Sequence, residues 1–275
     1  MAGIVRANVS QETWLWLQQF YELPNDYSAL NTAFMIIPRK TGKSTIAIND
    51  LQFDSSRATI SLFTNWTIDR LSRVWLLLQW DTADKDKYFQ TIENLFLSAE
   101  MNEAVALYAA LPFLAYPELW TKRCAEGIRS NIGSVLEAIM YNNPYPSTYL
   151  DQAAWNQLVL KAFFTEKNIS LITGLDERAN KELALILSDY ASERWAAGRK
   201  VNPALWRLVG KFIDEKIFES IKTGLARDDM AEKEAIALAI SESGFEPAKQ
   251  WLSKIPELKS VVTDKALNWE KVSIN

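Results

Sequence analysis

The sequence predicts an all-α protein, and three observations carry the prediction. Apolar residues return at helical spacing in segment after segment. No stretch sustains the alternation of a half-buried strand. Glycine is scarce, at 9 residues in 275. That is about half the usual share of roughly 7%, so few turns need a positive φ. A long series of short amphipathic helices with loops of roughly two to eight residues implies a right-handed stack of short antiparallel helices. The expected form is an α-solenoid of HEAT or tetratricopeptide type, or a curled helical bundle. No standard repeat consensus is present. No Pro/Gly/Ser-rich linker interrupts the chain, so residues 1–275 are expected to form a single helical-repeat domain.

The elements follow in order. Ser10 is an N-cap before Gln11-Glu12-Thr13, and Trp14, Leu17 and Tyr21 then share a face. Pro24-Asn25-Asp26 ends that helix. Residues 28–37 are a second apolar segment, which Pro38 is expected to stop. Residues 45–62 show no clear period and read as a short helix or an extended arm. Ile68, Leu71, Val74, Trp75 and Leu78 then follow the helical period. Tyr88, Ile92, Leu95 and Phe96 mark the next helix. Ala104, Leu107, Tyr108 and Leu111 mark another, closed by Pro112. Pro117 sits where a first-turn proline belongs, opening a helix with Trp120 and Cys124. Residues 130–140 follow, and Asn143-Pro144-Tyr145-Pro146 is a proline-fixed turn. Thr148-x-x-Asp151 resembles a capping box. The helix after it carries Trp155, Leu158, Val159, Ala162 and Phe163 on one face. Thr173-x-x-Asp176 is expected to start a helix bearing Leu183, Ile186, Leu187, Tyr190, Ala191 and Trp195, with Gly198 at C′. Asn202-Pro203 pairs an N-cap with a first-position proline ahead of Trp206. Helices near 212–224, 229–242, 246–254 and 257–270 complete the chain.

Composition narrows the function. Net charge is −4 and the pI is near 5.2, without the basic stripe of a nucleic-acid binder. No apolar run is long enough to span a membrane. The first residues lack a signal-peptide core, so a cytoplasmic location is expected. Histidine is absent, which removes imidazole triads and histidine metal sites. Any catalysis would have to use carboxylates, Lys, Tyr or Ser. Cys124 is the sole cysteine; it cannot form an intramolecular disulfide and reads as a small helix residue. No cofactor or metal is expected. Gly42-Lys43-Ser44 spells the end of a phosphate loop. The glycine that loop needs five positions earlier is Ile37 here, so Pro38–Lys43 reads as a basic loop instead.

Polar side chains set among apolar neighbours are the candidate ligand- or partner-binding residues. Arg123, Arg129, Asn156 and Lys161 would line one groove if residues 117–164 stack as hairpins. Arginine forks and a lysine suit a carboxylate, a phosphate or an acidic peptide. Alternatively they cap helix ends and pair with Glu126, Glu137 or Asp151. Asn143 fixes the turn backbone or joins that groove. Arg178, Asp189 and Arg194 form a second group with Glu177 and Glu193. Asp189 and Glu193 lie one turn apart, as paired acids or as partners of the arginines. Trp206, with Trp155 and Trp195, belongs to the core or lines a pocket for an aromatic or prenylated ligand.

Three longer strings carry a resemblance. They are Glu126-Gly127-Ile128-Arg129-Ser130-Asn131, Asn142-Asn143-Pro144-Tyr145-Pro146 and Ala154-Trp155-Asn156-Gln157-Leu158-Val159-Leu160-Lys161-Ala162. Glu177-Arg178-Ala179-Asn180, the run from Asp189 to Arg199, and Leu205-Trp206-Arg207 add to them. Together they resemble the EboA family over about residues 10–215, leaving 216–275 as a C-terminal helical extension. The family accompanies a bacterial and algal gene cluster for secondary metabolites, linked to movement of a pigment precursor towards the periplasm. The resemblance implies participation in that system without implying a reaction. The expectation is a non-enzymatic adaptor or scaffold whose protein partner is encoded in the same cluster. The alternative is a protein, or an enzyme, that binds a small phosphorylated, carboxylated or prenylated metabolite.

Overall fold

The computed structural model describes residues 1–21, 26–48, 62–263 and 267–274. Among them every named element is an α- or 3-10 helix, and an isolated bridge pairs Thr45 with Thr67. The fold is all-α. The chain divides into two compact units, Met1–Asp151 and Gln152–Asn275. Among the described residues no helix is long and apolar enough to cross a membrane.

The first unit holds α1 (Ala2–Ala7), α2 (Gln11–Gln18), α3 (Tyr27–Thr41), α4 (Ile68–Leu77), α5 (Lys85–Ser98), α6 (Met101–Ala110), α7 (Thr121–Ile128), α8 (Gly133–Met140) and α9 (Tyr145–Tyr149). Its centre is α4, which packs against α1, α3 and α6; α6 packs in turn on α8. Every residue of α4 except Arg70 is buried. A helix covered on all sides must neutralise its own charges, and it carries Asp69 and Arg73 one turn apart for that purpose.

Several sequence boundaries hold. The Ser10 hydroxyl accepts the Thr13 amide at 3.1 Å, capping α2. Others move. Pro38 does not stop the second helix: α3 runs on to Thr41, and the Gly42 amide donates to the Pro38 carbonyl at 3.1 Å. A proline inside a helix removes one amide and leaves the carbonyl four residues back without its donor. That carbonyl belongs to Phe34, and the Arg73 guanidinium supplies the missing hydrogen, Nε to O, at 2.9 Å. The helix continues because another helix repairs it. Of the 45–62 segment, residues 49–61 lie outside the described residues, as do 22–25 with Pro24. Asn143 works as a turn residue: its Oδ1 accepts the Tyr145 amide, and its Nδ2 donates to Ala138 and Tyr108 carbonyls.

The second unit holds α10 (Gln152–Phe164), α11 (Lys181–Ala196), a 3-10 segment (Pro203–Leu208), α12 (Glu215–Leu225), α13 (Met230–Glu242), α14 (Glu246–Leu252), α15 (Pro256–Thr263) and α16 (Trp269–Ile274). The helix expected from Thr173–Asp176 begins later. Asn180 caps α11 by accepting the Leu183 amide at 2.9 Å, and residues 173–178 are turns. Gly198 has φ +67°, and the Arg199 amide reaches back to the Arg194 carbonyl at 2.8 Å, closing a Schellman motif. The helix expected at 257–270 is two elements, α15 and α16. Helix α13 packs on the 3-10 segment, on α12 and on α15. At Gly210 a Cβ would stand 2.9 Å from the Ala239 carbonyl of α13, so the two backbones meet with no room for a side chain.

In the first unit Gly127 of α7 also sits without room for a side chain. A Cβ there would come within 2.5 Å of both Tyr108 and Ile139 side chains, each fixed in the core. Gly127→Ala should cost roughly 1–3 kcal/mol. Urea unfolding would show it as a lower midpoint with an unchanged slope; an unaltered midpoint would mean that the α6–α7–α8 contact yields freely.

Candidate functional site

A cavity of about 400 Å³ lies in the first unit beside Pro38 of α3. Three elements line it. The end of α3 gives Met35, Ile36, Pro38 and Arg39, and the loop beyond gives Lys43. Arg73 comes from α4, and the start of α6 gives Glu100, Asn102 and Glu103. Such a volume is in the range of small-molecule sites.

Arg73 is the buried end of this cavity, only 3% exposed. Its Nε is committed to Phe34. Its Nη1 donates to Asp69 Oδ2 at 3.0 Å. Its Nη2 stands 3.9 Å from Glu103 Oε1, an ion-pair distance that is too long for a hydrogen bond. Burial pulls the guanidinium below its ordinary pKa, and the Asp69 and Glu103 carboxylates oppose that pull. Glu103 is itself oriented, because its Oε2 accepts the Glu100 amide at 3.0 Å and caps α6. Behind the pair, Asp69 Oδ1 and Ser72 Oγ are buried with no hydrogen-bond partner. At the mouth, Arg39 and Lys43 are exposed and have no ion-pair partner among the described residues. The cavity thus presents one buried cation, two exposed cations, two acids, an amide and a short apolar wall.

The sequence-derived candidates lie elsewhere and divide between the units. Arg123 makes a bidentate pair with Glu93, at 2.8 and 2.5 Å, and reaches Glu126 at 3.1 Å. It also lies over the Phe96 ring at 5.4 Å. Arg129 is exposed at the end of the same helix. In the second unit Asn156 and Arg178 do come together. Asn156 Oδ1 accepts from Asn180 Nδ2 at 2.9 Å, the same Nδ2 donates to the Arg178 carbonyl at 3.1 Å, and the Arg178 guanidinium covers the Trp155 ring at 4.9 Å. This knot holds the start of α11 against α10. Lys161 is half-buried in the last turn of α10. Asp189 makes an exposed pair with Lys216 at 3.8 Å. Arg194 donates to the Lys200 carbonyl at 2.8 Å, near the Schellman turn.

Trp206 is fully buried and stacks on Trp195, with ring centroids 5.9 Å apart. Both indole N–H groups donate to Glu232 of α13, at 3.3 and 3.1 Å. Glu232 is 1% exposed. Burial pushes its carboxyl up to about 6, against the opposing effect of the two indole donors. Burial likewise raises the Cys124 thiol to about 12, so it is a packing residue. Among the described residues no group of acids and cysteine could hold a metal ion.

The residues that sequence reasoning missed are Arg73, Asp69 and Glu103. A signal was present: Asp69 and Arg73 stand four apart in a stretch whose remaining positions are mostly apolar. A charged pair inside such a stretch is buried, and buried pairs mark sites or organising centres.

The family of metabolite traffic proteins named EboA matches residues 1–210, three-quarters of the chain and all of the first unit. The chain belongs to the EboA family. Every residue lining the Arg73 cavity falls within the EboA match, as do Trp195 and Trp206, while Glu232 falls beyond it. No curated protein and no solved structure matches the chain.

Two outcomes test these assignments. Arg123→Ala should lower stability by about 1–2 kcal/mol, the usual scale for a charge-assisted, partly buried pair. The check is chemical denaturation beside Glu93→Gln, which should lose a similar amount without the two adding. For Glu232, an acid that protonates more readily in the folded chain stabilises it at low pH. The contribution is complete below the ordinary value near 4.5 and is lost as pH rises through about 6. Across that interval the native protein should lose about 2 kcal/mol relative to Glu232→Gln. Parallel stability profiles for the two proteins would remove the carboxyl from the account.

Proposed function

We propose that this EboA protein handles a metabolite by binding it directly, taking a small acidic compound into the Arg73 cavity. The observation that supports the reading most is a buried arginine, lining a cavity of about 400 Å³, whose Nη2 makes no hydrogen bond among the described residues. Arg39 and Lys43 at the mouth would draw an anion in and exchange its hydration for their own contacts. Met35 and Ile36 offer an apolar wall to the rest of the molecule, and methionine adapts to varied shapes. Membership of a metabolite traffic family is consistent with this use.

The adaptor reading is second. It is favoured by Met35 and Met101, which are 57% and 53% exposed. Met35 lines the cavity, and Met101 lies between two residues that do. A partner encoded in the same gene cluster would dock across them, and exposed apolar side chains in one neighbourhood are the usual mark of such contacts. Under this reading the cavity would be a socket for the partner's acidic side chain.

The two readings separate in native mass spectrometry of protein purified gently from its host. Direct binding predicts an adduct on the order of a few hundred daltons. The adduct should disappear in the Arg39→Glu, Lys43→Glu double variant, whose melting temperature should be unchanged because both side chains are exposed. A bare chain carrying a stoichiometric protein partner, lost on Met35→Asp, would replace direct binding with the adaptor.

A further inference from the structure

The cavity contains more acid than a general anion site would tolerate, and that points to the class of ligand. Its cations are Arg39, Lys43 and Arg73, its acids are Glu100 and Glu103, and Asp69 stands directly behind Arg73. Arg73 is therefore already shared. Asp69 holds Nη1, and Glu103 lies 3.9 Å from Nη2, so the guanidinium has little charge left to offer a dianion. A phosphate monoester near Nη2 would bring close to two negative charges beside Glu103, in a site where burial weakens screening. A carboxylate brings one charge and matches the planar edge that Nη2 presents. The acids also have acceptor capacity to spare. Glu103 uses Oε2 for the Glu100 amide, and no hydrogen bond reaches its Oε1 among the described residues. A ligand hydroxyl or amine could donate there, and Asn102 beside it can serve either sign of partner.

Resting on the direct-binding reading, we infer that the cavity takes a monocarboxylate bearing a hydroxyl or amine donor, and that Glu103 excludes phosphate monoesters. Glu103 acts here as a specificity residue. Its negative charge repels the second charge of a phosphate, and its free oxygen accepts the donor of the correct ligand. Selecting one partner by building in a repulsion against another is a common device. Arg73 orients the carboxylate, while Arg39 and Lys43 admit it.

The test uses the full chain and three fluorescent probes: 6-hydroxy-2-naphthoate, 2-naphthoate and 2-naphthyl phosphate. Binding is followed by fluorescence anisotropy at low salt, where charge effects are largest. The wild type should bind the hydroxy acid most tightly and the phosphate at least about tenfold more weakly than either carboxylate. Glu103→Gln keeps an oxygen for the Glu100 amide but removes the charge. It should strengthen phosphate binding about tenfold and 2-naphthoate binding only about threefold, half the energy for half the charge, a pattern that a loss of folding does not produce. If Glu103→Gln is poorly folded, Glu100→Gln, at an exposed position, should move the phosphate in the same direction by a smaller factor. Equal or tighter phosphate binding by the wild type would overturn the inference and leave direct binding intact. No binding of any probe, or binding that survives Arg39→Glu with Lys43→Glu, would overturn both.

Discussion

The hydrogen bond from Arg73 to the Phe34 carbonyl holds the first unit together at its least regular point. Pro38 strips one rung from α3, and the carbonyl it strands is buried against α4. Without a donor that group would cost roughly 1–3 kcal/mol. Arg73 satisfies it, but a guanidinium brought that deep needs a counter-charge, and Asp69 provides it from one turn away on the same helix. Glu103 then joins from α6, and its position is set by the cap it forms there. One missing amide thus fixes the relative setting of α3, α4 and α6. The same bonds leave Nη2 beside Glu103, and both residues line the cavity. Site and scaffold are built from the same atoms, so removing one partner of this buried pair would act on both, at roughly 3–5 kcal/mol.

The second unit handles buried charge the other way round. Its buried group is an acid, Glu232, and its neutralising partners are two indole N–H dipoles rather than a cation. Burial raises the Glu232 pKa, and the two indole dipoles, weaker than a guanidinium, offset only part of that rise. The first unit therefore has a cavity served by fixed opposite charges. The second has a core junction that responds to proton activity within a range that cells visit.

Much of this was legible in the residues. The helical period located nearly every helix, because a helix packed on one face shows its stripe in the sequence. Caps read well where the capping side chain is local, as at Ser10, Gly198 and Asn202. Pro38 misled because its repair comes from Arg73, thirty-five positions away, and no local rule contains that partner. Thr173–Asp176 misled because a capping pattern competes with turns, and Asn180 makes the stronger cap. Among the candidate residues, Arg123 and Asn156 stood out as polar groups in apolar stretches. That feature marks buried structural pairing as readily as ligand binding, and in both cases the partners, Glu93 and Asn180, are protein groups. The Arg73 cavity was harder to see because its three walls come from segments near 38, 73 and 102, each ordinary alone.

The close approach of Gly210 to Ala239 bears on how the chain is made. The stretch that matches the family ends at residue 210, yet its stacked pair Trp195 and Trp206 closes against α12 and α13, which are synthesised later. At roughly 5–20 residues per second, α10, α11 and the 3-10 segment wait on the order of seconds with their apolar faces uncovered. During that interval the second half of the nascent chain exposes apolar surface, while residues 1–151, a compact unit, have already been synthesised. A border drawn from similarity between sequences is here not a border for folding.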